Sequence, residues 1–240
     1  MILCFDFGNT LKKYAFVEQQ KIVLLGHLSS FNSDELPLLV RQKKIDKIVI
    51  SSVIDIPSSF LQNLEKIAPV VYINEELIST ILQYQSYDPS SLGIDRKILA
   101  IGALRNYPNK NLLVISLGSC ITYNIVCLES KFGGGVISPG LEMRAKAMHE
   151  FTDKLPLVDW KNQALQNLFG INTNENLAHG IVTAVKFEIE GFIKQFKDIF
   201  PSGMVLLTGG DALFIKKLFP EKTFIVDENL LWKGMQEIVS

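Results

Sequence analysis

The sequence predicts an α/β protein assembled from two similar halves, each ordered β-β-β-α-β-α-β-α, around a ligand cleft. Apolar stretches of strand length and amphipathic stretches of helix length recur in the same order before and after residue 108. Phe5-Asp6-Phe7-Gly8-Asn9-Thr10 in the first half aligns with Ile115-Ser116-Leu117-Gly118-Ser119-Cys120 in the second, so each half ends a buried strand in a glycine turn. A further turn, Thr208-Gly209-Gly210-Asp211, lies between an apolar strand and a helix, where backbone N–H groups suit an anion.

The elements follow from local pattern. Ile2-Leu3-Cys4-Phe5 reads as a buried strand, and Tyr14-Ala15-Phe16-Val17 resumes the extended pattern after Gly8-Asn9, which makes a hairpin with Asp6 at the end of its first strand. Residues 21–28 read as a third strand, 33–44 as a helix capped by Ser33 or Asp34, 47–51 as a strand, 57–68 as a helix and 70–73 as a short strand, with a helix from Glu75. The polar stretch from Ser86 to Gly93 leads into a helix over 94–106, and Tyr107-Pro108-Asn109-Lys110-Asn111 is the expected boundary between a half at 1–108 and a half at 109–240.

In the second half, strands are expected at 112–116, 121–127 and 131–138. Helices follow at 140–150, 160–168 and, in one long run, 174–200. A strand at 204–207, a helix at 212–218, a strand at 223–226 and a helix from Glu228 complete the repeat. Two halves with facing glycine turns and a late Gly-Gly turn describe the actin-like ATPase fold, which has a nucleotide cleft.

Composition narrows the function. With 240 residues, 48% hydrophobic and 20% charged, the chain can bury an ample core. A net charge of −1 and scattered basic residues give no electrostatic reason to expect a nucleic-acid partner. Asp6 interrupts the first apolar run and no run is long enough to span a membrane, so a cytoplasmic protein is expected. Cys4, Cys120 and Cys127 lie in strand-like segments without close pairing and read as buried thiols. His27, His149 and His179 are dispersed, which gives zinc little support, and His149 reads as a surface or capping residue. Neither a Walker A loop nor GxGxxG occurs, so any phosphate is held by another kind of loop.

That loop is the Asp6 to Lys13 turn. Asp6 offers a carboxylate to a divalent cation, Gly8 admits a ligand close to the backbone, and Asn9, Thr10 and Lys13 add donors, although an ordinary Asx-type hairpin uses the same residues.

Further stretches make a resemblance specific. Gly93-Ile94-Asp95-Arg96, the turn around Gly118, Phe132-Gly133-Gly134-Gly135-Val136-Ile137-Ser138-Pro139-Gly140-Leu141 with Met143 and Arg144, and Thr152 with Leu155-Pro156 resemble type III pantothenate kinases in order and spacing. Phe187-Glu188-Ile189-Glu190-Gly191 and Thr208-Gly209-Gly210-Asp211 extend the likeness over essentially the whole chain. The resemblance implies ATP-dependent phosphorylation of pantothenate to 4′-phosphopantothenate, the first step of coenzyme A synthesis. It implies that Asp6, Phe7, Gly8, Asn9, Thr10, Leu11, Lys12 and Lys13 hold ATP with magnesium or another divalent cation bound at Asp6, and that Ser119 adds a hydroxyl. It further implies that Tyr87, Gly93, Ile94, Asp95 and Arg96 hold pantothenate with Asp95 as general base. The resemblance also implies a homodimer in which Thr173 of the partner subunit completes the pocket.

Each residue also has a plainer reading. Asp95 suits the first turn of a helix, Tyr87 suits loop packing, and Thr173 suits a cap before Asn174-Glu175-Asn176. Gly133-Gly134-Gly135 with Pro139-Gly140 is read as shaping the pocket floor. Arg96 is a forked guanidinium, suited to pantothenate's carboxylate.

The chain also departs from the family. Where the family's second turn carries Asp-x-Gly-Thr and a further aspartate, this sequence has Ser116, Ser119 and Asn124. In the family the first of those acids coordinates potassium or ammonium. A serine brings no charge to offset dehydration of such a cation, so the expectation is that the monovalent requirement is lost or weakened here. The rival to a kinase is a non-catalytic or regulatory homologue that binds pantothenate or nucleotide without turnover.

Overall fold

The computed structural model describes residues 1–18, 21–31, 35–41, 43–163, 169–219 and 224–240. The described chain divides into two compact units, the first comprising Met1–Asn109, Val126–Gly133 and Asn229–Ser240, the second Lys110–Ile125 and Gly134–Glu228.

The first unit is built on a five-stranded sheet ordered β3-β2-β1-β4-β5. Its strands are β1 (Ile2–Phe7), β2 (Lys12–Glu18), β3 (Lys21–Leu28), β4 (Lys47–Ser52) and β5 (Val70–Tyr72). β1 is the central strand, antiparallel to β2 and parallel to β4. Leu3, Phe5 and Phe7 pack with Ile48, Ile50 and Phe60 into one core. The helices are α1 (Glu35–Leu39), α2 (Ser58–Glu65), α3 (Glu75–Ser79) and α4 (Ile94–Asn106). The expected caps of α1, Ser33 and Asp34, lie outside the described residues. A two-residue strand, β6 (Gln83–Tyr84), was too short to leave a pattern in the sequence.

The second sheet adds β7 (Leu112–Leu117), β8 (Cys120–Cys127), β9 (Lys131–Pro139), β10 (Met204–Thr208) and β11 (Ile225–Val226). Its order is β11-β10-β7-β8-β9-β6, with β6 joined to β9 at Lys131 and Phe132. Read from β9 to β11, this repeats the first sheet strand for strand, which is the duplication expected of the actin-like ATPase fold. Leu113, Ile115 and Leu117 of β7 pack with Ile181, Val185 and Ile189 in the second core.

The helices that follow are α5 (Leu141–Glu150), α6 (Thr173–Ala178), α7 (Ala184–Ile199), α8 (Ala212–Lys216) and α9 (Leu230–Ile238). The long helix expected over 174–200 is interrupted by a π turn at His179–Thr183, where the His179 ring nitrogen Nδ1 lies 3.0 Å from the Thr183 hydroxyl. Of the helix expected over 160–168, residues 160–163 form turns and bends, and 164–168 lie outside the described residues.

The division of the chain differs from a single cut after residue 108. α9 and the β8–β9 hairpin tip, residues 126–133, belong to the first unit. The reason is a close helix crossing. α4 is buried from Arg96 to Ala103, and a Cβ added to its Gly102 would stand 2.4 Å from the Leu230 carbonyl oxygen of α9. α9 therefore lays its buried face, Leu230, Gly234, Met235 and Ile238, against α4. Only Cys4 is fully buried among the cysteines, and burial pushes its thiol up to about 12; Cys120 and Cys127 are half-buried. No described helix is long and apolar enough to cross a membrane.

Candidate active site

Asp6 is a polar residue in a strand whose neighbours Cys4, Phe5 and Phe7 are all fully buried. Register places Lys13 of β2 on one side of it and Ser51 of β4 on the other. Paired residues share a face of the sheet, so an ammonium and a hydroxyl flank the carboxyl. Burial lifts the Asp6 carboxyl to about 6, with Lys13 lowering it and Asp95 raising it. Asp6 and Asp95 therefore act on each other within one site. The Ser51 hydroxyl is buried and has no hydrogen-bond partner among the described residues.

The turn after β1 is closed by the Gly8 N–H, which donates to the Leu11 carbonyl at 3.0 Å. Asn9, Thr10 and Leu11 are exposed at its tip. The two lysines differ. Lys12 is held over the Phe31 ring at 5.1 Å, whereas Lys13 acts on Asp6.

Asp95 lies in the first turn of α4, where the helix dipole favours a carboxylate. Gly93 is the residue that starts this helix. A Cβ at Gly93 would stand 2.7 Å from the Asp95 carboxylate oxygen Oδ1, so glycine leaves the space that this carboxylate occupies. Arg96, on the next position, is buried with its guanidinium 5.5 Å from the centre of the Phe132 ring. Tyr87 meets the same ring edge-on, with centroids 5.1 Å apart. Phe132 thus joins two of the expected substrate residues, a role that neither spacing nor the glycine run beside it revealed. Lys97, another buried cation missed in the sequence, is ion-paired with Glu75, which also accepts from the Tyr84 hydroxyl at 2.9 Å.

In the second unit, three turns converge on the end of β7. The Gly118 N–H donates to the Cys120 carbonyl at 3.1 Å, the Gly140 N–H to the Ser119 carbonyl at 3.0 Å, and the Asp211 N–H to the Leu117 carbonyl at 3.2 Å. A Cβ on Gly140 would lie 2.2 Å from the Gly118 carbonyl oxygen, so only glycine allows this approach. Ser116 pairs in register with Thr208, as Asp6 pairs with Ser51 in the first unit. In the glycine run of β9, Gly134 has φ +120 and open space where its Cβ would be, so its backbone conformation rather than a close neighbour favours glycine there.

Asn124 is buried, and its amide donates to the Thr122 hydroxyl at 3.1 Å and the Val114 carbonyl at 3.4 Å. Arg144 is bound to Glu188 and donates to the Ser138 hydroxyl at 2.7 Å and the Pro139 carbonyl at 2.8 Å. Glu188 also accepts from Tyr123 at 2.8 Å. This network joins β8, β9, α5 and α7. Thr173 is exposed at the start of α6, and the cap there is Asn172, whose side chain accepts from the Glu175 N–H at 3.0 Å. The capping role weighed for Thr173 therefore falls to its neighbour. His149 is exposed, with Nδ1 2.8 Å from the Leu155 carbonyl, and lies outside the site.

A duplicated sheet, with a strand-end carboxylate and a lysine beside it in the first unit and glycine turns at the end of β7 in the second, is the arrangement of an actin-like ATPase-fold kinase. Among solved structures, the chain is similar to a Baf-family transcriptional activator from Campylobacter jejuni, with a TM-score of 0.64 and 23% identity over 99% of this chain and 96% of that one. It is also similar to the activator of 2-hydroxyisocaproyl-CoA dehydratase from Clostridium difficile with bound ADPNP, with a TM-score of 0.55 and 14% identity over 99% and 92% of the two chains. The sequence model of the type III pantothenate kinases matches residues 2–195. A type III pantothenate kinase of Flavobacterium psychrophilum is 35% identical over 241 residues, covering 99% of this chain and 98% of its own. The chain belongs to the type III pantothenate kinase family.

Proposed function

We propose that the chain transfers the γ-phosphoryl group of ATP to the primary hydroxyl of pantothenate, with Asp95 as the general base and Arg96 on the substrate carboxylate. The observation that carries this reading is the coupling of Asp6 and Asp95 in one site, since a kinase needs one carboxylate on the metal and another on the acceptor hydroxyl. The donors around Asp6 fit a divalent cation: a carboxyl held at about 6 by burial gains from a cation, and the Ser51 hydroxyl on the adjoining strand has no partner among the described residues. A divalent ion bound there supplies charge neutralisation for the transferring phosphoryl group. Gly8, Asn9 and Thr10 offer the exposed turn to the phosphates, with Phe7 and Leu11 framing it and Lys13 adding charge. Ser119 retains a hydroxyl for the same purpose, and Gly93 with Ile94 and Tyr87 frame the acceptor. A homodimer, in which Thr173 of the partner subunit completes the pocket, belongs to the same reading.

The residues present do not fit a monovalent cation at the family's position. Ser116 supplies a neutral hydroxyl and Asn124 a neutral amide, and neither brings charge to offset dehydration of a cation. The reading keeps the expectation that the monovalent requirement is lost or weakened here.

The test is ADP release from magnesium-ATP with and without pantothenate, with Asp95→Asn as control. Pantothenate-dependent release that falls by about 10²–10⁴ in the variant supports the reading. Calorimetric binding of pantothenate by a wild-type protein that releases no ADP would instead establish the non-catalytic homologue.

A further inference from the structure

We propose that Phe132 is a positioning residue for the acceptor substrate, setting the orientation of Arg96 and Tyr87 through contacts with one buried ring. The proposal rests on the kinase reading given above.

Phe132 is fully buried and fixed at both ends of its backbone. It pairs with Tyr84 in the β6–β9 ladder, and its carbonyl accepts from the Gln85 N–H at 2.9 Å. The ring therefore has little freedom to move. Two side chains expected on the substrate use it. Arg96 stands 5.5 Å from the ring centre, within the range in which a cation is drawn to a π face, and Tyr87 packs against it at 5.1 Å with an interplanar angle of 80°.

The packing has a consequence for recognition. A guanidinium on a flexible stem loses rotamer freedom when it binds a carboxylate, and a ring that already holds it removes part of that cost. Phe132 also lies on a hairpin tip, far in sequence from the loop and helix that carry Tyr87 and Arg96, so it fixes one to the other. Lys97, next to Arg96, is engaged by Glu75 and is not the cation concerned.

The experiment compares Phe132→Leu and Phe132→Met, which keep apolar bulk and remove the aromatic face, with Phe132→Tyr, which keeps it. For each, KM for pantothenate, KM for ATP, kcat and the melting temperature are measured. The expected result is a rise of about tenfold in KM for pantothenate in the first two variants, with kcat and KM for ATP within about twofold of wild type and recovery in Phe132→Tyr. Unchanged KM for pantothenate overturns the proposal. So does a parallel loss in both substrates' constants together with a lowered melting temperature, which would make Phe132 a packing residue only. If Phe132→Leu and Phe132→Met do not fold, a Phe132→Tyr protein with the wild-type KM for pantothenate supports the proposal, and one with a raised KM and wild-type melting temperature overturns it. A wild-type protein that does not turn over pantothenate defeats the kinase reading itself, and that outcome is distinct from all of these.

Discussion

Asp6 at the end of β1 and Asp95 in the first turn of α4 are electrostatically coupled: the charge of Asp95 raises the Asp6 carboxyl, against the lowering by Lys13 and in the direction of the larger burial effect. Under the proposed reading the two acids would divide the work, Asp6 on the cation and Asp95 on the acceptor hydroxyl.

The pH dependence follows from this pair. Asp6 takes up a proton as pH falls through about 6, well above the ordinary carboxylate range, and the protonated form no longer offers charge to a divalent cation. kcat/KM for magnesium-ATP is expected to fall about tenfold for each pH unit below 6 and to be flat from about 7 to 8. A profile that bends only near pH 4 would sink this assignment.

Stability should move the other way. A folded-state carboxyl held above its unfolded value binds more protons than the unfolded chain between about pH 4 and 6. Its contribution is therefore present at low pH and lost as pH rises through 6. Asp6→Asn should raise the stability of the ligand-free protein at pH 8 by on the order of 2 kcal/mol and leave it nearly unchanged at pH 4. Thermal melts of both proteins at the two pH values check this.

Monovalent cations provide a third test. With serine at 116 and asparagine at 124, replacing potassium by sodium or tetramethylammonium at constant ionic strength should change the rate by less than about twofold. A many-fold activation by potassium would show that the neutral donors at the end of β7 suffice to hold it.

Gly140→Ala probes the convergence of turns in the second unit. The new methyl group would meet the carbonyl oxygens of Gly118 and Ser119 at 2.2 and 2.6 Å, and both belong to backbone, so the turn must shift. Overpacking of this kind costs about 1–3 kcal/mol. The expected signature is a raised KM for ATP together with a lower melting temperature, whereas Gly134→Ala, in open space but at φ +120, should lower stability without raising KM for ATP.

Loss of the Arg144 partner gives a purely structural counterpart. Glu188→Gln would leave the Arg144 guanidinium without its counter-charge in a half-buried site, at a cost of about 3 kcal/mol. The midpoint of urea unfolding reads this directly.

Much of the protein was legible from residues alone. α4 matches its expected span and β7 and β9 differ from theirs by one residue, while β1 and β2 each run two residues further toward the turn that joins them, because pairing across the hairpin extends both strands beyond their apolar cores. Asp6 and the Gly93 to Arg96 stretch could be named because a carboxylate closing a buried strand and a glycine starting a helix are local signals. The single cut at residue 108 could not anticipate that α9 returns to the first unit, since that depends on Gly102 and Gly234 letting two helices touch, a contact between residues far apart in the chain. The π turn at His179–Thr183 likewise leaves no mark in an amphipathic run.

The sequence by itself determined the repeat of strands and helices, the chemistry available at each turn and the family to which the chain belongs, since these depend on residue identity and spacing. The tertiary structure decided which charges act on one another. It made Lys13 rather than Lys12 the partner of Asp6, gave Asn172 rather than Thr173 the cap of α6, and brought Phe132 against Arg96 and Tyr87. Electrostatic coupling and ring packing depend on distance in space, and that distance is set only when strands pair and helices cross.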